Sequence, residues 1–129
     1  MKCAFLFLLV VIVSDLFSGC AALRHRAIPE SLVGAWTNSD GDVWTIRPDG
    51  TFDVDITSDG KRDAWGKYKI KGDTISLVNT GVLVPKRCKS SGIYHFAVTN
   101  DELHLALITD TCKMRRKKVL MDWRRKPDA

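Results

Sequence analysis

The body of this sequence predicts an all-β fold, a small antiparallel up-and-down β-barrel of about eight strands behind an N-terminal apolar segment. Three observations lead there. From Val33 onward, apolar and polar residues alternate in short runs broken by Gly and Asp. Three of the breaks fit hairpin turns whose register gathers aromatic and aliphatic side chains on one face. Helical periodicity is absent from that stretch, so no helix is expected to cover the sheet, and a meander of eight short strands then closes on itself.

The chain has 129 residues, enough for one core and not for two. Its 45% hydrophobic and 27% charged residues exclude general disorder. The charge is unevenly spread. Cys20 to Cys112 carries eleven basic and twelve acidic residues, whereas Lys113 to Ala129 holds eight Lys and Arg against two acids. The net charge of +5 is therefore expected to belong to a C-terminal tail and not to the fold.

Lys2 followed by the apolar run Cys3 to Val13 is too short to cross a bilayer and has the length of a secretory signal core. The sequence Leu16-Phe-Ser-Gly-Cys20 that follows resembles the lipobox of bacterial lipoproteins. That resemblance implies a signal peptide over 1–19 and acylation of the Cys20 thiol with fatty chains such as palmitate. It also implies a tether over 20–31 and a domain over 32–129, anchored in the cell envelope. If the source has an outer membrane, Ala21 after the cysteine implies sorting there, on the periplasmic face. Plain secretion, with cleavage after Ala22, is the alternative. Lipid on Cys20 leaves Cys88 and Cys112 to pair as a structural disulfide in an oxidising compartment.

The strands follow in order. Leu32–Thr37 opens the barrel. In Asp42–Ile56 a three-residue Pro48-Asp-Gly50 loop sets Phe52 opposite Ile46 and Val54 opposite Trp44, so these four share a face with Ile56, and Asp53 and Asp55 take the other. A two-residue Gly72-Asp73 turn pairs Ile70 with Ile75 and Tyr68 with Leu77, and points Lys67, Lys69 and Lys71 outward, where they discourage edge-to-edge association. Around Asn100-Asp101, Val98 meets Leu103, Phe96 meets Leu105 and Tyr94 meets Leu107. Lys118–Trp123 supplies the final strand. The expected interior is therefore Trp44, Ile46, Phe52, Val54, Tyr68, Leu77, Tyr94, Phe96 and Leu105.

Gly34-Ala-Trp36 at the first strand, Gly66-Lys-Tyr68 before a Gly-Asp turn, and Asp110-Thr-Cys-Lys-Met-Arg115 ahead of a last strand ending in Trp123 resemble small bacterial lipocalin-like (calycin-type) domains. The resemblance covers about Leu32 to Arg124. It implies a barrel-closing motif of Gly34, Trp36 and a basic residue packed on the indole, for which Arg115 is the candidate. That family's usual C-terminal helix is not found in the sequence.

No catalytic motif is present: no GxSxG, HExxH, phosphate-binding glycine loop or dinucleotide fingerprint. No cofactor, metal or enzymatic activity is expected. His95 and His104 form a diagonal pair on one strand face without a third ligand, and Asp40-Gly-Asp42 lacks a calcium-loop spacing. The basic stretch, in a chain with a signal peptide, points to anionic envelope surfaces and not to nucleic acid. The expected function is non-enzymatic binding of a small apolar or amphiphilic ligand in a membrane-anchored barrel. The alternative is a filled barrel that binds a protein or polymer through its surface. Ser91-Gly-Ile-Tyr94 resembles the Ser-Gly motif of lysozyme-inhibiting lipoproteins, an example of that second class.

Overall fold

The computed structural model describes residues 28–81 and 83–128, and there the chain forms eight antiparallel strands closed into one barrel. The signal segment 1–19, Cys20 and the tether as far as residue 27 lie outside the described residues. The strands are β1 (Gly34–Thr37), β2 (Val43–Ile46), β3 (Thr51–Asp55), β4 (Ala64–Lys71), β5 (Thr74–Asn79), β6 (Gly92–Thr99), β7 (Glu102–Thr109) and β8 (Trp123–Arg125). Each pairs with its neighbour in sequence. β8 returns to β1 through Trp36↔Arg125 and Thr37↔Arg124, which removes the free edges an open sheet would leave at its two ends.

The hairpin registers follow from turn chemistry. Gly50, at φ 85°, closes the Pro48-Asp49-Gly50 loop, and Phe52 sits opposite Ile46 with Val54 opposite Trp44. Gly72 supplies the positive φ, 63°, that the first position of its two-residue turn requires, and Tyr68 faces Leu77 with Ile70 facing Ile75. Asn100 and Asp101 both take positive φ, as a type I′ turn demands of its two central residues, and Phe96 faces Leu105. Lys67, Lys69 and Lys71 are exposed.

The structure departs from the sequence reading at both ends of the barrel. Glu30–Leu32 is a 3-10 turn instead of the start of β1, and Leu32 is fully buried beneath it. Lys113–Val119 is a helix, α1, and the last strand is Trp123–Arg125, not Lys118–Trp123. A seven-residue helix is below the length that is stable by itself in water, so only its tertiary attachments could reveal it. The basic stretch Lys113–Lys118 is thus an element of the barrel and not a tail.

The inward pattern also breaks in two places. A register shift beside Tyr94 sets Leu107 opposite it and Thr109 opposite Ile93, leaving Ile108 without a partner across the ladder. Leu107 is exposed at this bulge, and Ile56 is exposed at the end of β3.

The core fills one half of the barrel: Leu32, Trp36, Ile46, Ile75, Tyr94 and Leu103 are all essentially inaccessible. Toward the other half Trp44 packs edge-on against Phe52 and Trp123, with centroids 6.2 and 5.3 Å apart. Such pairs contribute about 0.5–1.5 kcal/mol each beyond their buried area.

Candidate functional site

The two ends of the barrel are built differently, and that difference creates the site. At the end formed by the Arg47–Gly50 and Gly72–Asp73 turns the chain closes. The indole N–H of Trp36 donates to the Leu32 carbonyl at 3.0 Å, and the Arg125 guanidinium lies 4.1 Å from the Trp36 ring centroid. Arg125 also donates to the carbonyls of Val33 (2.7 Å) and Ser31 (2.5 Å), clamping the entry turn onto the indole. Gly34 is required beneath it: its φ is 133°, and a Cβ there would stand 2.7 Å from Arg125 Nη1. The cation over Trp36 is therefore Arg125 and not Arg115. Pairing of Trp36 with Arg125 across β1 and β8 makes the contact, whereas Arg115 belongs to the opposite end.

At that opposite end Arg115 is the centre of a buried knot. Its Nε and Nη2 donate to the two oxygens of Asp110 at 2.7 and 2.6 Å. Nη2 also reaches the Ser90 carbonyl (2.9 Å), and Nη1 reaches Asn79 Oδ1 (3.0 Å) and the Cys88 carbonyl (3.3 Å). All five guanidinium donors are thus used within the protein. Asp110 accepts as well from the Tyr94 hydroxyl and from the Cys112 N–H at 2.8 Å. Burial alone would raise the Asp110 carboxyl, but the hydrogen bonds from Arg115, Tyr94 and Cys112 outweigh it and hold the group below its ordinary 3.8. Burial and the Asp110 carboxylate push the Tyr94 phenol upward. Gly92 makes room, since a Cβ there would overlap Asp110 Oδ2. The disulfide Cys88–Cys112 joins the Lys86–Cys88 turn to the residue that starts α1.

The knot fixes α1 and the β5–β6 connection as two sides of an opening. Between them, above the filled half of the barrel, lies a cavity of about 650 Å³ whose accessible lining is mostly apolar. Trp44, Phe52, Leu77 and Trp123 are its deep residues, with Val54, Ala64 and Trp65 along β3 and β4. Leu83, Met114 and Ile56 stand at its rim, exposed. Among the expected interior residues, Trp44, Phe52, Val54 and Leu77 line this cavity. Ile46, Tyr68 and Tyr94 are buried in the filled half, and Phe96 and Leu105 are half-buried against the core.

Lys118 reaches from α1 to Asp42 (2.7 Å) and Asp40 (3.1 Å) across the rim. Its hydrogen bond to Asp42 is the main reason its ammonium is held above the usual range. Asp42 and Asp40, adjoining a glycine, thus serve as a latch for the helix. Asp42 is itself buried and held by Asn38 at 2.9 Å. Three buried polar atoms near this end, Trp44 Nε1, Asp42 Oδ1 and Asp55 Oδ1, have no hydrogen-bond partner among the described residues.

His95 and His104 face solvent with separate carboxylates, Asp73 at 3.2 Å and Glu102 at 3.1 Å. No group of three or more His, Cys, Asp or Glu among the described residues is placed to hold a metal ion. Sequence reasoning missed Asp110, Tyr94, Asn79 and Lys118 as supports of the rim. The only local signal was the spacing of Asp110, Cys112 and Arg115, three residues within one helical entry that all turn into the same knot. No protein-family model matches the chain, and neither does any curated protein or solved structure.

Proposed function

We propose that this protein is a non-enzymatic carrier of a small apolar or amphiphilic molecule, lipocalin-like in design and held at the cell envelope by lipid on Cys20. The observation that carries the reading is the half-filled barrel. A cavity of about 650 Å³ with an apolar lining falls within the roughly 300–1,000 Å³ typical of small-molecule sites. Three of the four tryptophans, Trp44, Trp65 and Trp123, line it. The buried, unpartnered indole N–H of Trp44 favours an occupant with at least one hydrogen-bond acceptor, because an unpaired buried donor costs about 1–3 kcal/mol. Arg115 offers no spare donor, so recognition of a head group falls to the rim.

Native mass spectrometry of the full chain from its host, set against the same sample denatured, tests this. A stoichiometric extra mass that leaves on denaturation is expected, and any lipid covalently bound to Cys20 stays, which separates the two. Ala64→Phe, which narrows the cavity between β3 and β4, is expected to lose the releasable mass while the barrel stays folded. A bare wild-type protein that also stays bare after exposure to fatty acids and phospholipids would overturn the carrier reading. For the anchor, Cys20→Ala is expected to abolish metabolic labelling with a fatty acid. Undiminished labelling in that variant would sink it.

A further inference from the structure

The rim of the cavity is lopsided in both charge and hydrophobicity. On one side stand the Lys86–Cys88 turn and α1, tied together by the disulfide. These two segments carry Lys86, Arg87, Lys89, Lys113, Arg116 and Lys117, none of which has an acidic partner within 4.0 Å among the described residues. The nearby Arg115 and Lys118 are already neutralised by Asp110, Asp42 and Asp40. Projecting from the same lip are Leu83, 94% exposed, and Met114, 72% exposed. The facing loop is different: its carboxylates Asp55, Asp59 and Asp63 offset its cations Lys61 and Arg62. Asp63 accepts from the backbone N–H groups of Ile56 and Thr57, and one oxygen of Asp55 accepts from that of Gly60. The loop's exposed large apolar side chain, Ile56, is only 37% exposed.

We propose that this lip docks on an anionic phospholipid bilayer, with Leu83 and Met114 entering the acyl boundary and the surrounding cations on the head groups, so that the cavity opens toward the membrane. The inference rests on the carrier reading and names where the carried amphiphile enters and leaves. Apolar side chains ringed by cations are the chemistry of an interfacial contact: the cations draw the lip to the surface and the side chains hold it there. A soluble acidic partner would satisfy the cations but leaves a 94% exposed leucine beside an open apolar cavity unexplained.

Geometry permits the contact even for an anchored chain. The chain enters the barrel at the closed end, opposite the lip, where the carbonyls of Ser31 and Val33 meet Arg125. The eight residues from Ala21 to Ile28 span at most about 26–29 Å when extended. The longest strands have eight residues, about 26 Å along the strand and less along a tilted barrel axis. A fully extended tether from Cys20 thus matches the length of the strands it must run past for the barrel to stand mouth-down on the bilayer that holds it.

Hydrogen exchange of the full chain on two vesicle types is the test: phosphatidylcholine alone, and phosphatidylcholine with phosphatidylglycerol. The N-terminal segment is the same in both, so the difference reports the lip. Slower exchange over 83–89 and 113–118, only on the anionic vesicles and reversed by salt, is expected. Replacing Lys86, Arg87 and Lys117 together by alanine is expected to lower the docked-to-undocked ratio about 100-fold. Leu83→Ser with Met114→Ser, at exposed positions that leave the core intact, is expected to lower it too. Equal exchange on the two vesicle types, or protection confined to another face, would overturn the docking. The native mass of the same samples separates the two ideas. A retained releasable mass without lip protection removes the docking alone, whereas lip protection on a protein that never carries a ligand removes the carrier reading.

Discussion

At the scale of single residues, two arginines carry the architecture and do so by different physics. Arg115 is buried with a side-chain exposure of 5% against an Asp110 carboxylate at 0%. Removing it leaves a buried anion without its partner, so Arg115→Ala is expected to cost about 3–5 kcal/mol in chemical denaturation. Lysine is not expected to rescue, because a single ammonium cannot occupy five directed contacts. The same pair sets an acid limit. The Asp110 carboxyl is lowered in the folded protein, so its contribution is full above the unfolded value near 3.8 and is lost as pH falls through the lower folded value. A melting curve that falls more steeply below about pH 4 in the wild type than in Arg115→Met is the corresponding measurement. Arg125 is partly exposed over Trp36, and its loss is expected to cost about 1–2 kcal/mol. Gly34→Ala strikes the same contact through the backbone, and its melting temperature is expected to fall with that of Arg125→Ala. Gly34 and Trp36 were legible in the sequence because the Gly-x-Trp pattern is local. Their cation was not, since Arg125 meets Trp36 only through pairing of the first and last strands.

At the scale of elements, the hairpins were legible and the helix was not. Turn residues with positive φ fix a register over two or three residues, and the alternating apolar pattern admits only one choice of face. Helix α1 has no such local signature. Cys112 begins it, Arg115 and Val119 bury one side of it, and Lys118 latches it to Asp42. Arg116, Lys117 and Lys118 in the last turn suit the helix dipole, which is a modest term. The disulfide between Cys88 and Cys112, 24 residues apart, is expected to contribute about 3 kcal/mol by the loop-entropy account. Cys88→Ser is therefore expected to lower the melting point under oxidising conditions, and reductant should bring the wild type down to meet it. Equal melting points for the oxidised wild type and the variant would argue against that contribution. Because the bridge lies in the rim and not among the strands, the barrel's far-ultraviolet signal at room temperature should survive its loss.

At the scale of the whole molecule, a short barrel with one filled half and one open half has unsatisfied apolar surface that an occupant would cover. Ligand binding to the folded state alone stabilises by mass action, about 2.7 kcal/mol at a hundredfold excess over the dissociation constant. If the barrel carries an apolar or amphiphilic molecule as proposed, its extraction is expected to lower the melting temperature, and re-addition to restore it. No shift in either direction would speak for a barrel that works through its surface. The sequence by itself determined the strand number, the hairpin registers, the outward lysines and part of the filled core, because each depends on period-two alternation and turn geometry over a few neighbouring residues. Tertiary structure alone decided which arginine caps the closed end, that the basic stretch is a helix and not a tail, and that the other end stays open. Those outcomes depend on contacts such as Asn79 with Arg115, Lys118 with Asp42, and Trp36 with Arg125, which join residues from 36 to 89 positions apart. No local pattern encodes where such partners meet, because barrel closure brings them together.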